Sequence, residues 1–207
     1  MKKGLFITIE GTDGSGKSTQ IAKIKDYFIK NNSEVILLRE PGGTKISEKI
    51  RELILDLNNK EMSNTAEVLL YAAARAQLVA EVILPLLKEG KTVVCDRFID
   101  SSYAYQGFGR GISMEIIESA NEAALCGLMP ELTIFLDVAP EIALKRRMKA
   151  SEADRLEMEK MEFHQRVYEG YKHLSDKYCD RIVTIDANRA PEEIWVDIEN
   201  VLNKIEM

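Results

Sequence analysis

The stretch that decides the fold is residues 11–19, GTDGSGKST, which follows directly on the apolar run GLFITIE at 4–10. Gly11, Gly16, Lys17 and Ser18 keep the spacing G-x-x-x-x-G-K-[ST], with a β-rich run before and helix-forming residues after, which is the context a phosphate-binding loop requires. Glycine lets the backbone curl so that successive N–H groups converge on phosphate oxygens, and the following helix adds the positive end of its dipole. Gly11, Thr12, Asp13, Gly14, Ser15, Gly16, Lys17, Ser18 and Thr19 are therefore expected to cradle a nucleotide polyphosphate, with Lys17 reaching the β- and γ-phosphates and Ser18 holding Mg²⁺. A plain Gly/Ser turn needs neither the lysine nor the hydroxyl at these offsets.

Outward from this loop, short β-branched or apolar runs recur at 5–9, 35–38, 92–95, 132–136 and 182–185. Helical periodicity or composition marks 18–31, 45–57, 64–89, 113–126, 140–149, 155–178 and 191–205 between and after them. Strands that alternate with helices, and are apolar nearly throughout, predict an α/β fold with a five-stranded parallel sheet covered on both faces. Pro140 and Pro191 suit first-turn helix positions, where a missing N–H costs nothing. Neither repeats nor linkers divide the chain, so residues 1–207 are expected to form one domain.

A chain of 207 residues with 45% hydrophobic content can bury a sizeable core. The net charge of −6 argues against broad binding to nucleic-acid backbones. Cys95, Cys126 and Cys179 are odd in number and lack metal-type spacing, which points to reduced thiols serving as small core residues in a cytoplasmic protein. The N-terminal MKKGLFITIE lacks the apolar segment and cleavage site of a signal peptide. The run 66–87 is long enough to suggest a membrane span, but Glu67, Arg75 and Glu81 fall within it, and a central helix of a soluble protein is expected instead.

Three further features carry chemistry. KTVVCDRF ends a buried strand in Asp96 and Arg97 at the carboxyl edge of the sheet, which reads as a carboxylate for Mg²⁺ and a planar fork for a second phosphate, or else as a surface ion pair at a strand end. Arg75 lies in an otherwise apolar helix and needs an acceptor, with Tyr71 one turn before it. Together they suit a base with a carbonyl edge, or else an internal ion pair beside a packed tyrosine. The segment LKRRMKASEADRLE gathers Arg146, Arg147, Lys149 and Arg155 around a polar break, which reads as a solvated loop or as a mobile basic lid at about 146–157.

With GTDGSGKST, REPGGT, YAAARAQ, DRFIDSSYAYQG and RRMKASEADRLE on one chain, the sequence resembles the bacterial thymidylate kinases from Leu5 to at least Tyr171. The resemblance implies a three-layer P-loop kinase fold with a short lid, usually a homodimer, that transfers the γ-phosphoryl of Mg-ATP to dTMP and so has two small-molecule substrates and no nucleic-acid or membrane partner. By motif it places Asp13 near the sugar 3′-hydroxyl, Tyr71 on thymine, Arg75 on the base carbonyl, and Arg97 and Arg51 on the acceptor phosphate. Ser101, Ser102 and Gln106 are implied to line the base side. Tyr105 is implied to exclude a ribose 2′-hydroxyl, and Glu40 and Pro41 to begin the closing loop. Ser18 and Asp96 are the implied metal residues, and Lys17, Arg97, Arg147 and Arg146 the catalytic cations. The pattern commonly has Phe where this chain has Tyr71, and some members carry arginine where it has Gly14, which shifts the catalytic charge toward the lid. Another monophosphate kinase, or a nucleotide-binding module without activity, remains the alternative. A regulatory GTPase would need N/T-K-x-D and D-x-x-G motifs that the sequence lacks.

Overall fold

The computed structural model describes residues 4–148 and 154–205. Five strands, β1 (Phe6–Glu10), β2 (Val35–Arg39), β3 (Thr92–Asp96), β4 (Leu132–Asp137) and β5 (Ile182–Asp186), form one parallel sheet in the order β2-β3-β1-β4-β5. Each strand runs one residue beyond its apolar stretch, into Glu10, Arg39, Asp96, Asp137 or Asp186. The carboxyl edge of the sheet is thus a row of charged side chains, with Arg39 and Asp96 in register and Asp137 opposite Asp186. The chain leaves β1 for one edge of the sheet and returns past it to the other, so β1 lies at the switch point where open α/β sheets bind ligands.

Successive strand residues point to opposite faces, and each face has its own core. Ile7, Ile9, Val94, Ile134 and Leu136 pack with α1 (Lys17–Lys30) and α9 (Pro191–Leu202). Phe6, Val93, Cys95 and Phe135 pack with α3 (Asn64–Leu78) and α8 (Met161–Lys177). α2 (Lys45–Leu55) and α6 (Met114–Leu125) lie against α3, and α7 (Pro140–Arg147) follows β4. Cys95 is buried as expected, whereas Cys126 and Cys179 are exposed and are not core residues.

Three helical expectations are corrected. The helix predicted over 64–89 is interrupted by a π-helical turn at Val79–Ile83 and resumes as α4 (Leu84–Lys88). Pro85 would drive its ring into the carbonyl four residues earlier, and the wider turn, with Leu84 N–H on the Val79 carbonyl, absorbs it. Asn64–Lys88 is long and apolar enough to cross a membrane by length and composition only. It is less central than its composition suggests, since Leu69 stands 56% exposed.

Segment 99–109, given no helix by its sequence, forms α5 (Ile99–Ser102) and a π-helical turn at Tyr103–Gly109. A Cβ on Gly109 would lie 2.7 Å from the Phe163 ring, so this glycine serves the close approach of α8 rather than breaking structure. Finally, α8 begins at Met161 and not near 155. Asp154 caps a turn there, accepting from Leu156 N–H and Glu157 N–H.

Candidate active site

The 11–19 loop leads from β1 into α1, and Gly16, in the left-handed region, caps the helix. Lys17 is buried and curls back, donating to the carbonyls of Gly11 and Thr12 at 3.2 and 3.3 Å. Burial, then the neighbouring Arg97, pushes its pKa down. Gly14 has φ +86°, and a Cβ there would lie 1.9 Å from the carbonyl oxygen of Ala143, so α7 is wedged against the back of the loop.

One open cavity is walled by residues 13–20, by Asp96 and Arg97, by Arg146 and Arg147 of α7, and by Arg189, Pro191 and Ile194. Arg146 donates to the Ala187 carbonyl, and Arg147 reaches Glu157 at 2.6 Å. Asp96 Oδ1 is buried with no partner among the described residues, on the same wall as Ser18. An oxygen acceptor left open beside a hydroxyl and a phosphate loop fits Mg²⁺, a hard cation that takes few protein oxygens and keeps phosphate and water for the rest.

A second, more enclosed pocket is lined by Tyr71, Arg75, Phe98, Ser101, Ser102, Tyr105 and Gln106, with Glu40 and Pro41 at its rim. Asp13, Glu40, Arg51 and Arg97 line both cavities and form the wall between them. Arg97 is a non-glycine residue at φ +69°, a strained conformation of the kind that clusters at functional sites. Its guanidinium donates to Asp13 at 2.7 Å and to Tyr105, Ser101 and Tyr171 at 3.1–3.2 Å, and it lies over the Tyr105 ring. Burial works against the charge of Asp13, but Arg97 and then Lys17 hold its carboxyl well below the usual range. Tyr105 Oη donates to the other Asp13 oxygen at 3.0 Å.

This architecture, a phosphate loop at the sheet's switch point with a second pocket across a shared Asp13–Arg97 wall, has close counterparts among known proteins. The family model described as "Thymidylate kinase" matches residues 9–198. The chain belongs to the thymidylate kinase family. It is 48% identical to the thymidylate kinase of Clostridium novyi over 204 residues, covering 98% of this chain and 100% of that one. It is 52% identical to that of Finegoldia magna over 200 residues, covering 97% and 98%. The crystal structure of thymidylate kinase from Ehrlichia chaffeensis superposes with a TM-score of 0.78 at 32% identity, covering 97% of this chain and 99% of that one.

Within this thymidylate kinase fold, the residues singled out from sequence converge on the two cavities. Gly14 to Thr19, Asp96, Arg146 and Arg147 fall on the first cavity. Pro41, Tyr71, Arg75, Ser101, Ser102, Tyr105 and Gln106 fall on the second, and Asp13, Glu40, Arg51 and Arg97 on both. Gly11 and Thr12 contribute through the carbonyls that hold Lys17. Arg51 donates to the Pro41 carbonyl at 3.0 Å.

Arg75 is more constrained than its sequence suggested. It is 1% exposed, and all five of its N–H groups are engaged. Nε and one NH2 bond reach Glu40 Oε2 at 3.0 and 2.8 Å, and the others reach Phe98 O, Ser102 and Asn121. The internal ion pair is therefore present whatever else Arg75 does. Tyr71 keeps its hydroxyl unbonded among the described residues, and burial pushes its pKa up. Lys149, expected in the lid, lies outside the described residues. Arg155 turns away from the loop, onto Glu67 at 2.6 Å and the Ile54 carbonyl at 2.8 Å.

Sequence reasoning missed Glu10, the last residue of β1. It is fully buried and accepts from Phe98 N–H, Ser101 N–H, Ser101 Oγ and Tyr171 Oη, so it ties the segment after Arg97 to the loop strand. Burial and the nearby Asp100 push its pKa up to about 7. A glutamate at the last position of an apolar strand, next to a phosphate loop, was the available signal.

Proposed function

We propose that this thymidylate kinase family member transfers the γ-phosphoryl of Mg-ATP to dTMP, releasing dTDP and ADP. The observation that carries this reading is the wall shared by the two cavities. A triphosphate along the Lys17 loop and a monophosphate on Arg97 would meet there, in contact with cations from both sides. Lys17 exchanges the Gly11 and Thr12 carbonyls for β/γ-phosphate oxygens. Arg97 and Arg51 hold the acceptor phosphate, and Arg147 or Arg146 neutralises charge on the moving group. Catalysis is then alignment plus electrostatics. The attacking phosphate oxygen is already ionised at neutral pH, so no side chain need act as a base. Ser18 and Asp96 would hold Mg²⁺, which would supply positive charge to offset that of the donor phosphates.

Tyr71 stacks on the base, Ser101, Ser102 and Gln106 line its side of the pocket, and Arg75 serves the base carbonyl by sharing one of its existing bonds. Asp13 and Tyr105 surround the sugar, with Tyr105 crowding the 2′ position. Glu40 and Pro41 begin the loop over the acceptor. An ATP-coupled assay across nucleoside monophosphates tests the reading. dTMP is expected to be strongly preferred, and equal or better turnover of AMP, GMP or dCMP would overturn it.

The whole chain acts as one cytoplasmic domain with a lid at about 146–157, and its partners are the two small substrates and a second copy of itself. Support for the homodimer comes from α2, α3 and α6, which pack together yet leave Leu53, Leu69 and Ile116 half exposed. Light scattering should give twice the chain mass, and Leu69→Glu should give the monomer. A wild-type monomer at micromolar concentration would refute the assembly.

A further inference from the structure

Glu67, on the first turn of α3, is a buried carboxylate that the transfer reaction does not use. Its Oε1 accepts from Gln106 Nε2 at 2.9 Å and from Arg110 Nε at 3.3 Å, while Oε2 accepts from Arg110 at 3.1 Å and Arg155 at 2.6 Å. Burial alone would favour its neutral form, but Gln106, Arg110 and Arg155 hold its pKa below the usual range, so it is ionised and can only accept. The Gln106 atom that faces it must therefore be the amide nitrogen. The amide oxygen is left on the other side, where Gln106 lines the acceptor pocket and where it takes no hydrogen bond among the described residues.

We propose that Glu67 is a positioning residue for base selection: it fixes the Gln106 amide so that an acceptor, not a donor, faces the Watson–Crick edge of the base. The inference rests on the dTMP reading of this pocket. Thymine and uracil carry a hydrogen on N3 and complement an acceptor. Cytosine carries a lone pair there and meets the oxygen lone pair to lone pair, and a site built to pair one edge rejects the other because its own buried group is left unpaired. Thymine is separated from uracil by a methyl group, on which this amide has no bearing.

In Glu67→Gln, the new amide keeps its oxygen on Arg110 and Arg155, which shared Oε2, and turns its NH₂ toward Gln106, giving up the 3.3 Å bond that Oε1 accepted from Arg110 Nε. Gln106 then flips and presents a donor to the pocket. The test is kcat/KM for dTMP, dCMP and dUMP on the wild type and on Glu67→Gln. The dTMP:dCMP ratio is expected to fall about tenfold in the variant, while the dTMP:dUMP ratio holds within about twofold. General loosening of the fold or lid would lower all three activities without this pattern. A fall in the dTMP:dCMP ratio of less than about threefold, or an equal fall in both ratios, overturns the proposal.

If Glu67→Gln does not fold, Gln106→Met, which keeps the length and removes the acceptor, must lower the dTMP:dCMP ratio by a similar factor. An unchanged ratio there overturns it equally. A wild-type enzyme without dTMP preference would instead sink the functional reading itself, and this inference with it.

Discussion

Arg75 joins four distant parts of the chain: Glu40 after β2, Phe98 after β3, Ser102 in α5 and Asn121 in α6. Removing one partner of a buried pair costs about 3–5 kcal/mol, because a charge is left alone in the interior. Burial already pushes the Glu40 pKa up, so the orphaned carboxyl can take up a proton and recover part of that loss. Arg75→Ala should therefore lower Tm clearly and, if Arg75 also serves the base, raise the KM for dTMP about tenfold with little effect on ATP. Thermal melts and both substrates' kinetics on the same protein separate the two roles. A destabilised variant with wild-type dTMP kinetics would leave Arg75 with the ion pair alone. The phosphate loop was legible because its chemistry is contiguous in sequence, from Gly11 to Ser18. The partners of Arg75 were not legible, because spacing along α3 says nothing about Glu40 or Asn121. Gln106 could be named as a pocket residue, but the orientation of its amide depends on Glu67, 39 positions away.

The five strands were legible because apolar, β-branched runs bounded by polar residues have few other solutions in a short segment. The turn at Tyr103–Gly109 was not, because two glycines there read as a loop and are retained for close packing against α8 and Met114. Gly14 also depends on a neighbouring element. The family resemblance implies arginine at this position in some members, whereas in this chain α7 fills the space behind it. A side chain at Gly14 meets both the Ala143 carbonyl and a positive φ, and the backbone conformation alone costs about 1–2 kcal/mol. Gly14→Val should lower Tm by about 4 °C or more, using roughly 2–4 °C per kcal/mol for a chain of this size. It should also raise the KM for ATP more than that for dTMP, since the loop and not the base pocket is displaced. A Gly14→Val protein with wild-type melting and ATP affinity would show that α7 yields freely.

The exposure of Leu53, Leu69 and Ile116 on α2, α3 and α6 was not legible in the sequence, since it depends on how the three helices pack. The same holds for charge. The chain carries a net charge of −6, yet Lys17, Arg39, Arg51, Arg97, Arg146, Arg147 and Arg189 line one cavity, against Asp13, Glu40 and Asp96. Because α7 is wedged behind Gly14, Arg146 and Arg147 already stand at that cavity without nucleotide. Their first effect then comes before any chemistry, in the approach of the substrate through solution. A concave basic surface in an acidic molecule focuses field lines, so a polyanion is drawn to the mouth of the loop while other negatively charged solutes are repelled by the remaining surface. The range of that attraction is set by salt: about 30 Å at 0.01 M and about 10 Å at 0.1 M. Stopped-flow measurement with a fluorescent ATP analogue should therefore show an association rate that falls severalfold over this range while dissociation changes little, and an association rate indifferent to salt would mean that the cavity captures nucleotide by contact alone.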